Sequence, residues 1–395
     1  MSGWTTKKLG EVCEVVLGGT PRTSIDEYWG GSVPWLTPGD MGKIKGLYVA
    51  ETSRSLTQQG LENGSKLFPE NSVVLSTRAP IGYVLINTVP MCTNQGCKTL
   101  IPNSTIAPEY LAYNLIGRTI ELNELGTGTT FKELSTGVLK NIDIPIPPLA
   151  EQKRIVTKID AAFEKIDRLK ANAEKNLANA KELFQSALDE AMRPKKGWVE
   201  KRLGEVANIR VGPFGSSLHK ADYVDNGVPL VNPCHMKDSK IADRISTQVS
   251  HDKAESLKEY RLKAGDIVFA RRGEIGRLAF VSEKEDGYLC GTGSLFARFR
   301  ERYDIQFLYF FFSSKSFVER LEQLSTGTTM KSINSSALES MSFSVPLMND
   351  QQRLAKQLDS LSQKTKALQQ NYARQIADCA EMRQAILREA FEGRL

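Results

Sequence analysis

The sequence predicts an α+β fold in which two tandem repeated α/β globular domains are joined by two long helices. The helices are expected to form an antiparallel coiled coil, which would give the chain pseudo-twofold symmetry. Three observations lead to this prediction. The length of 395 residues exceeds one ordinary core, the chain repeats itself at a shift of roughly 194 to 199 residues, and two long segments carry heptad-spaced apolar residues.

Each predicted domain opens with similar strings in the same order. "WTTKKLGEV" at residues 4–12 corresponds to "WVEKRLGEV" at 198–206, and "NSVVLSTRAPIG" at 71–82 corresponds to "GDIVFARRGEIG" at 265–276. Their β-rich runs alternate with Gly and Pro turns, which favours strongly twisted or barrel-like sheets. Shorter helical stretches are predicted at 108–125 and 304–324.

A repeated loop follows in both domains, as "LGTGTTFKEL" at 125–134 and "LSTGTTMKSI" at 324–333. Neither copy has the lysine placement of a phosphate-binding loop. We interpret the first copy as a structural turn in which Thr129 and Thr130 cap nearby backbone, with Lys132 and Lys331 exposed in the two copies.

The two long helices carry the clearest periodicity. Apolar residues alternate at spacings of four and three, and such a narrow stripe is stable only when it is buried against a partner helix. The other helix is the nearest partner, and a first helix of roughly 50 Å at about 1.5 Å per residue corresponds to roughly 15 base pairs of duplex DNA. The predicted helix-pairing residues are Ile155, Ile159, Ile166, Leu169, Leu183, Leu354, Leu358, Leu361, Leu368, Met382 and Ile386.

These elements divide the chain into four segments. We predict a first globular domain at 1–147, a first long helix at 148–193, a second globular domain at 194–346 and a second long helix at 347–395. Proline precedes each predicted helix, and the heptad pattern ends at Pro194 in the first and at Gly393 in the second.

Composition limits the class of protein. The net charge of +6 permits nucleic-acid binding without demonstrating it. The six cysteines form no C-x-x-C pair, so free thiols are expected rather than a zinc site or disulfides. No apolar signal segment is visible at the N-terminus, and we expect a cytoplasmic protein.

Catalytic patterns are weak. "NPCH" at 232–235 has only part of the motif with which amino-methyltransferases hold adenine, and a turn after a strand is the simpler interpretation. All three histidines lie in the second half, whereas a catalytic device built on the repeat would need a counterpart in the first. We therefore predict no catalytic residues, no metal site and no bound cofactor.

Basic residues in the turns of both repeats are the best functional candidates. Cations contact phosphate, whereas arginine and side-chain amides can read bases. Arg78 and Arg272 occupy matched places in the repeat. The candidate DNA-binding residues are Arg22, Lys43, Lys45, Arg78, Lys98, Lys132, Arg210, Lys220, Arg271, Arg272, Arg277 and Lys331.

Taken together, these features resemble the specificity subunit of type I restriction-modification systems. The resemblance covers essentially the whole chain. It rests on the paired domain starts, the paired "TGTT" loops, "IPPLAEQKRIV" at the start of the first helix and "AILREAFEGRL" at 385–395.

The resemblance implies two target-recognition domains, each reading one half of a bipartite double-stranded DNA target, with the helices setting the gap. It also implies two copies of a modification subunit, which bind S-adenosylmethionine and methylate adenine, and restriction subunits that supply motor and nuclease activity. The chain itself would be non-catalytic. Basic residues exposed on the first helix, such as Lys158 and Arg168, would face solvent or partner subunits, with contact to the DNA of the unread gap as the alternative.

Alternatives remain at this stage. A methyltransferase acting alone would need a cofactor-binding turn and a full adenine motif, and the sequence has neither. The chain could instead be the recognition arm of a fused methyltransferase-nuclease system, which would look the same. A coiled-coil scaffold that binds no DNA is the third alternative.

Overall fold

A computed structural model describes residues 3–128, 132–214, 217–327 and 331–395 of the chain. The chain divides into two compact units. Unit 1 comprises Met1–Glu174 and Ala373–Leu395, and unit 2 comprises Lys175–Tyr372. Each unit therefore contains one sequence repeat together with a part of each long helix.

Unit 1 contains a five-stranded main sheet together with smaller sheets. Its strands are β1 (Thr5–Lys8), β2 (Cys13–Leu17), β3 (Trp29–Leu36), β4 (Tyr48–Val49), β5 (Arg54–Leu56), β6 (Val73–Thr77), β7 (Ile81–Asn87), β8 (Cys92–Thr93), β9 (Cys97–Pro102) and β10 (Asp143–Ile146). The main sheet has the order β2-β9-β6-β7-β4, and smaller sheets have the orders β5-β3-β8 and β1-β10. Every residue of β6 is buried, as expected for a central strand rich in β-branched residues.

The helices of unit 1 before the long helix are short. They are α1 (Leu9–Val12), α2 (Pro38–Met41), α3 (Gln58–Glu62), α4 (Pro108–Gly117), α5 (Thr119–Glu124) and α6 (Thr136–Lys140), with a 3-10 turn at Asp26–Tyr28. The helical stretch predicted at 108–125 is thus two helices that meet at Arg118, whose guanidinium bonds Glu121 and the carbonyl oxygen of Asp143. The first long helix, α7 (Leu149–Met192), follows.

Unit 2 repeats this arrangement with small differences. Its strands are β11 (Val199–Arg202), β12 (Ala207–Val211), β13 (Tyr223–Val231), β14 (Met236–Lys237), β15 (Lys240–Ile241), β16 (Gln248–Val249), β17 (Ile267–Ala270), β18 (Leu278–Phe280), β19 (Leu289–Cys290), β20 (Ser294–Phe299) and β21 (Ser342–Val345). The main sheet has the order β12-β20-β17-β18 and is accompanied by β16-β13-β19, β11-β21 and β14-β15.

The helices of unit 2 also match those of unit 1. They are α8 (Leu203–Val206), α9 (His251–Ser256), α10 (Ile305–Ser313), α11 (Lys315–Gln323), α12 (Ser335–Glu339) and the long α13 (Met348–Phe391), with 3-10 turns at Lys220–Asp222, Pro233–His235, Lys258–Tyr260 and Glu283–Glu285. The stretch predicted at 304–324 is again two helices, because the Ser314 side chain caps α11 by accepting from Phe317 N.

The central strands of the two units share one register. Leu75 of β6 lies opposite Lys98 of β9, and Phe269 of β17 lies opposite Leu295 of β20. Because β9 also pairs with β2 and β20 pairs with β12 in the same way, Lys98 and Leu295 occupy equivalent positions. The repeat in the sequence is therefore a repeat in the sheet.

Both long helices contribute to the core of each unit. In unit 1, Ile155 and Ile159 of α7 share one apolar cluster with Leu387 and Ala390 of α13. Arg154, near the start of α7, donates to the carbonyl oxygen of Leu395 at 2.8 Å. Further along α7, Asp167 pairs with Arg383, so the two helices run in opposite directions within unit 1. Among the residues that the structure describes, no helix is both long and apolar enough to cross a membrane.

The helix stripe differs from the predicted one. Of the predicted helix-pairing residues, Ile155, Ile159, Ile166 and Leu358 are buried, and Leu354, Leu361 and Ile386 are partly buried. The remaining four are exposed, by 56% for Leu169, 54% for Leu183, 41% for Leu368 and 48% for Met382. These four side chains are therefore not buried in a helix seam.

The physical reason is an ambiguity in the heptad pattern. Each row of a heptad has one neighbouring row on either side of it on the helix surface, reached by a step of +3 or of +4. The predicted stripe contains the row of Leu169. The structure buries that row at Ile155 but exposes it from Leu169 onward, and it buries residues of the other flank, where Phe163 follows Ile159 by four residues and Ala355 precedes Leu358 by three.

Candidate nucleic-acid interface

Five segments of unit 1 meet at one edge of its main sheet. We call this the loop edge of unit 1, and its described parts are residues 18–22, 37–39, 77–80, 94–96 and 127–128 with 132–134. A cleft of about 320 Å³ opens between the second, third and fourth of these segments. The capping role predicted for Thr129 and Thr130 falls outside the described residues.

Backbone contacts hold this loop edge together. Thr77 N donates to Gly96 O at 2.8 Å, and Leu134 N donates to Thr77 O at 2.9 Å. The strand that precedes the edge comes so close that a Cβ on Gly18 would lie 2.0 Å from Asn94 O. Glycine is therefore required where β2 ends.

Unit 2 builds the same edge from equivalent segments. Its loop edge comprises residues 211–214, 232–235, 271–277, 291–293 and 326–327 with 331–333. Arg271 N donates to Gly293 O at 2.9 Å, and Ile333 N donates to Arg271 O at 3.0 Å, which are the counterparts of the two bonds in unit 1. A Cβ on Gly212 would lie 2.0 Å from Gly291 O. The repeat thus preserves the backbone of the edge.

Most candidate cations of unit 1 are exposed. Arg78 lies on the loop edge with its guanidinium 4.0 Å from the Glu133 carboxylate, and Lys132, which precedes Glu133 in the sequence, is also exposed. Arg22 is exposed at the end of the first segment, and Lys43 is exposed just beyond α2. These side chains are free to reach an anionic ligand at or near the edge.

Two other candidates of unit 1 lie elsewhere. Lys45 is exposed, but it lines a groove beside α7 together with Asp160 and Asp167. Lys98 is only 1% exposed, so it cannot contact a phosphate from its present position. Burial lowers the pKa of Lys98, although the Glu133 carboxylate 3.6 Å away opposes this effect.

In unit 2, three arginines gather at the loop edge. Arg272 is exposed there. Arg277 pairs with Glu274 and donates to Pro233 O at 3.1 Å. Arg271 is partly buried, and burial lowers its pKa, with the charge of Arg272 acting in the same direction.

The remaining candidates of unit 2 are less well placed. Arg210 lies on β12 and is held 2.8 Å from the Glu259 carboxylate. Lys220 is exposed in a 3-10 turn. Lys331 is exposed as predicted, and its ammonium is 3.8 Å from the Glu322 carboxylate.

Two exposed residues of the loop edges are not among the predicted DNA-binding residues. Phe214 is 58% exposed, and the Arg271 guanidinium lies 5.3 Å from its ring centroid. Gln95 is exposed at the tip between β8 and β9, where its amide oxygen accepts from Thr20. The available signals were an aromatic residue in a Gly-Pro turn and an amide side chain in the turn "TNQG".

The partial adenine motif of unit 2 is a turn. Residues Pro233–His235 form a 3-10 turn directly after β13, and His235 is buried with Nδ1 accepting from Asn232 N at 3.1 Å. This agrees with the simpler interpretation of "NPCH". Within the described part of the chain, no group of three or more His, Cys, Asp or Glu side chains could hold a metal ion, and the six cysteines are free.

Comparison with known proteins identifies the family. The model of the type I restriction modification DNA specificity domain matches residues 1–178 and 195–377, one copy on each repeat. The chain belongs to this family. The resemblance drawn from the duplicated motifs is confirmed, and the chain is a member of the type I specificity subunits.

Relatives and solved structures agree with this assignment. The chain is 32% identical over 295 residues to the MjaIX specificity subunit of Methanocaldococcus jannaschii, an alignment that covers 69% of this chain and 66% of that protein. It is 22% identical over 380 residues to the EcoBI specificity subunit of Escherichia coli, covering 89% and 79% of the two chains.

Two solved structures share the fold. One comes from work on complex assembly and conformational transition of the type I restriction-modification system, with a TM-score of 0.80, 22% identity and coverage of 100% of this chain and 99% of that chain. The other is the HsdS subunit of Thermoanaerobacter tengcongensis, with a TM-score of 0.61, 21% identity and coverage of 100% and 98%.

Proposed function

We propose that this chain is the non-catalytic DNA-recognition subunit of a type I restriction-modification complex and that each loop edge reads one half of a bipartite DNA target. The observation that carries the proposal is that one edge is built twice on the same backbone with different side chains. Unit 1 presents Gln95 where unit 2 presents Thr292, and unit 2 presents Phe214 where unit 1 has Thr20. Two readers of two unlike half-sites need such differences on a shared frame.

The side chains at the edges suit this role. Arg78 and Arg272 occupy matched, exposed positions, and a guanidinium can bind phosphate or read the major-groove edge of guanine. A glutamine amide such as that of Gln95 can read adenine through two hydrogen bonds. Phe214 supplies an apolar surface for a thymine methyl group or an unstacked base.

The long helices would set the unread gap between half-sites. We propose that α7 and α13 pair as an antiparallel coiled coil with pseudo-twofold symmetry, and that the four predicted segments 1–147, 148–193, 194–346 and 347–395 act as reader, spacer, reader and spacer. The opposite directions of α7 and α13 within unit 1 support this pairing.

The proposed partners follow from the family. Two modification subunits would dock on this chain and methylate one adenine on each side of the gap, and restriction subunits would cleave the DNA. In enzymes that modify a base, the target base is flipped out of the stack, so the reader must hold the duplex while its partner reacts. The fold shared with the chain from the type I assembly supports a place in such a complex.

Methylation mapping tests the proposal directly. Single-molecule sequencing would compare DNA from cells that express this chain with its modification partner and DNA from cells that lack the chain. We expect methylated adenines in a motif of two unlike short blocks around a fixed gap, and we expect the motif to vanish when the chain is deleted. If the modification partner is active but no methylated motif depends on the chain, the proposal is contradicted. DNA binding by the assembly would then be measured at low and high salt, and the absence of salt-dependent DNA affinity would identify a scaffold.

A further inference from the structure

A cation bonded to a backbone carbonyl lies at or just beneath the loop edge of each unit. In unit 1, Lys98 Nζ donates to Leu134 O at 2.6 Å and to Thr77 Oγ1 at 3.1 Å. In unit 2, Arg271 Nε donates to Ile333 O at 3.2 Å. Leu134 and Ile333 are equivalent, because each donates its N–H to the same place on the preceding segment. Both cations therefore bind the carbonyl group that ends the repeated loop.

The two cations come from different positions in the repeat. The equivalent of Lys98 in unit 2 is Leu295, which is fully buried. The equivalent of Arg271 in unit 1 is Thr77. In unit 1 the cation is carried by strand β9, and in unit 2 it is carried by the segment just after β17. Their head groups bond the equivalent carbonyl group of each unit, although Lys98 and Arg271 are not equivalent positions in the repeat.

If these cations served only to pack the core, burying them would cost free energy that an apolar side chain would not. Placing an ammonium group in an apolar strand position is unfavourable unless it is paired. The nearest carboxylate, Glu133, is 3.6 Å from Lys98 Nζ and partly exposed. In unit 2 the residue at the Glu133 position is Ser332, so no carboxylate faces Arg271 from there. An apolar solution at the strand position exists in the same molecule, since Leu295 fills it.

We propose that Lys98 and Arg271 are equivalent positioning residues, each of which holds the end of the repeated loop so that its loop edge keeps the shape that meets DNA. This inference rests on the proposed function. The cation fixes a carbonyl group that no strand ladder satisfies among the described residues, and it places positive charge at or beneath the surface proposed to face phosphates. Neither side chain needs to touch DNA for this role.

Exchange of the two arrangements tests the inference. Lys98→Leu removes the cation of unit 1, and Lys98→Leu combined with Thr77→Arg imports the arrangement of unit 2. Each variant is assembled with its modification subunits and titrated against a fluorescein-labelled duplex that carries the mapped motif. Two further duplexes have one half-site scrambled each, so that discrimination is measured separately at each half-site.

Lys98→Leu should raise the Kd for the intact motif about tenfold, because the end of the repeated loop is no longer held in the shape that meets DNA once this charge-assisted hydrogen bond is lost. Discrimination should fall at one half-site only. The double variant should restore the Kd to within about threefold of wild type, and Lys98→Arg, which keeps the cation, should retain binding. Arg271→Thr should weaken discrimination at the other half-site.

The results that would overturn the inference differ from those that would overturn the proposed function. If Lys98→Leu binds and discriminates as wild type does, or if it weakens both half-sites equally together with the melting temperature, Lys98 has only a structural role and the inference is overturned. If the double variant folds but is no better than Lys98→Leu, the equivalence of the two cations is overturned. If the wild-type assembly has no preference for any motif, the proposed function fails first and the inference fails with it.

Discussion

The burial of α7 can be tested with two substitutions that the heptad pattern treats as equal. Ile159 is fully buried in the core of unit 1, whereas Leu169 is 56% exposed. Ile159→Ala removes three carbons, which is worth about 2.4 kcal/mol at roughly 0.8 kcal/mol per buried carbon. With the cavity that remains, the free energy of unfolding should fall by about 3 to 4 kcal/mol. Leu169→Ala removes as many carbons, but less than half of the side chain is shielded, so the loss should be about 1 kcal/mol.

Urea unfolding followed by tryptophan fluorescence measures both values. Three of the four tryptophans, Trp4, Trp29 and Trp35, lie in unit 1, and Trp198→Phe would make the signal report that unit alone. Equal losses for Ile159→Ala and Leu169→Ala would refute the assignment of the buried flank and would restore the predicted stripe. If Leu169 also contacts a partner subunit, its substitution will weaken assembly by more than the loss of about 1 kcal/mol seen in the unfolding of the free chain.

Three further predictions follow from named contacts. The Asp266 carboxylate, whose side chain is 2% exposed, accepts two hydrogen bonds from Arg298, so Arg298→Ala should destabilise unit 2 by about 3 kcal/mol. Unit 1 has Ser72 and Ile101 at the equivalent positions, so the double variant Asp266→Ser with Arg298→Ile should lose less stability than Arg298→Ala. A double variant that is no more stable than Arg298→Ala would contradict this. Desolvation lowers the pKa of His235 from its usual 6.5, so the unfolded chain binds the proton more readily and the stability of unit 2 should fall as pH drops below about 6.5. Hydrogen exchange of unit 2 should show this pH dependence, and His235→Gln should abolish it. In the assembled complex, Arg78→Ala should reduce the slope of log Kd against log salt by about 1 if Arg78 contacts one phosphate, whereas Arg168→Ala on α7 should leave the slope unchanged.

Much of the architecture was determined by the sequence itself. The duplicated strings identify two equivalent domains because the same backbone needs the same small and apolar residues, as Gly18 and Gly212 show at the ends of β2 and β12. The heptad spacing identifies two long helices, which the structure places at Leu149–Met192 and Met348–Phe391. These are local patterns, and local patterns are set by backbone geometry that the sequence records directly.

Only the tertiary structure decided which side chains are available. A heptad row has two flanks of equal spacing, and only the packing of unit 1 around α7 buries Phe163 and exposes Leu169. Likewise, Lys98 resembles a surface cation in the sequence, yet its ammonium bonds a carbonyl oxygen 36 residues further along the chain. The acceptor of a buried cation is fixed by which segments meet in space, and no spacing within one segment encodes that meeting.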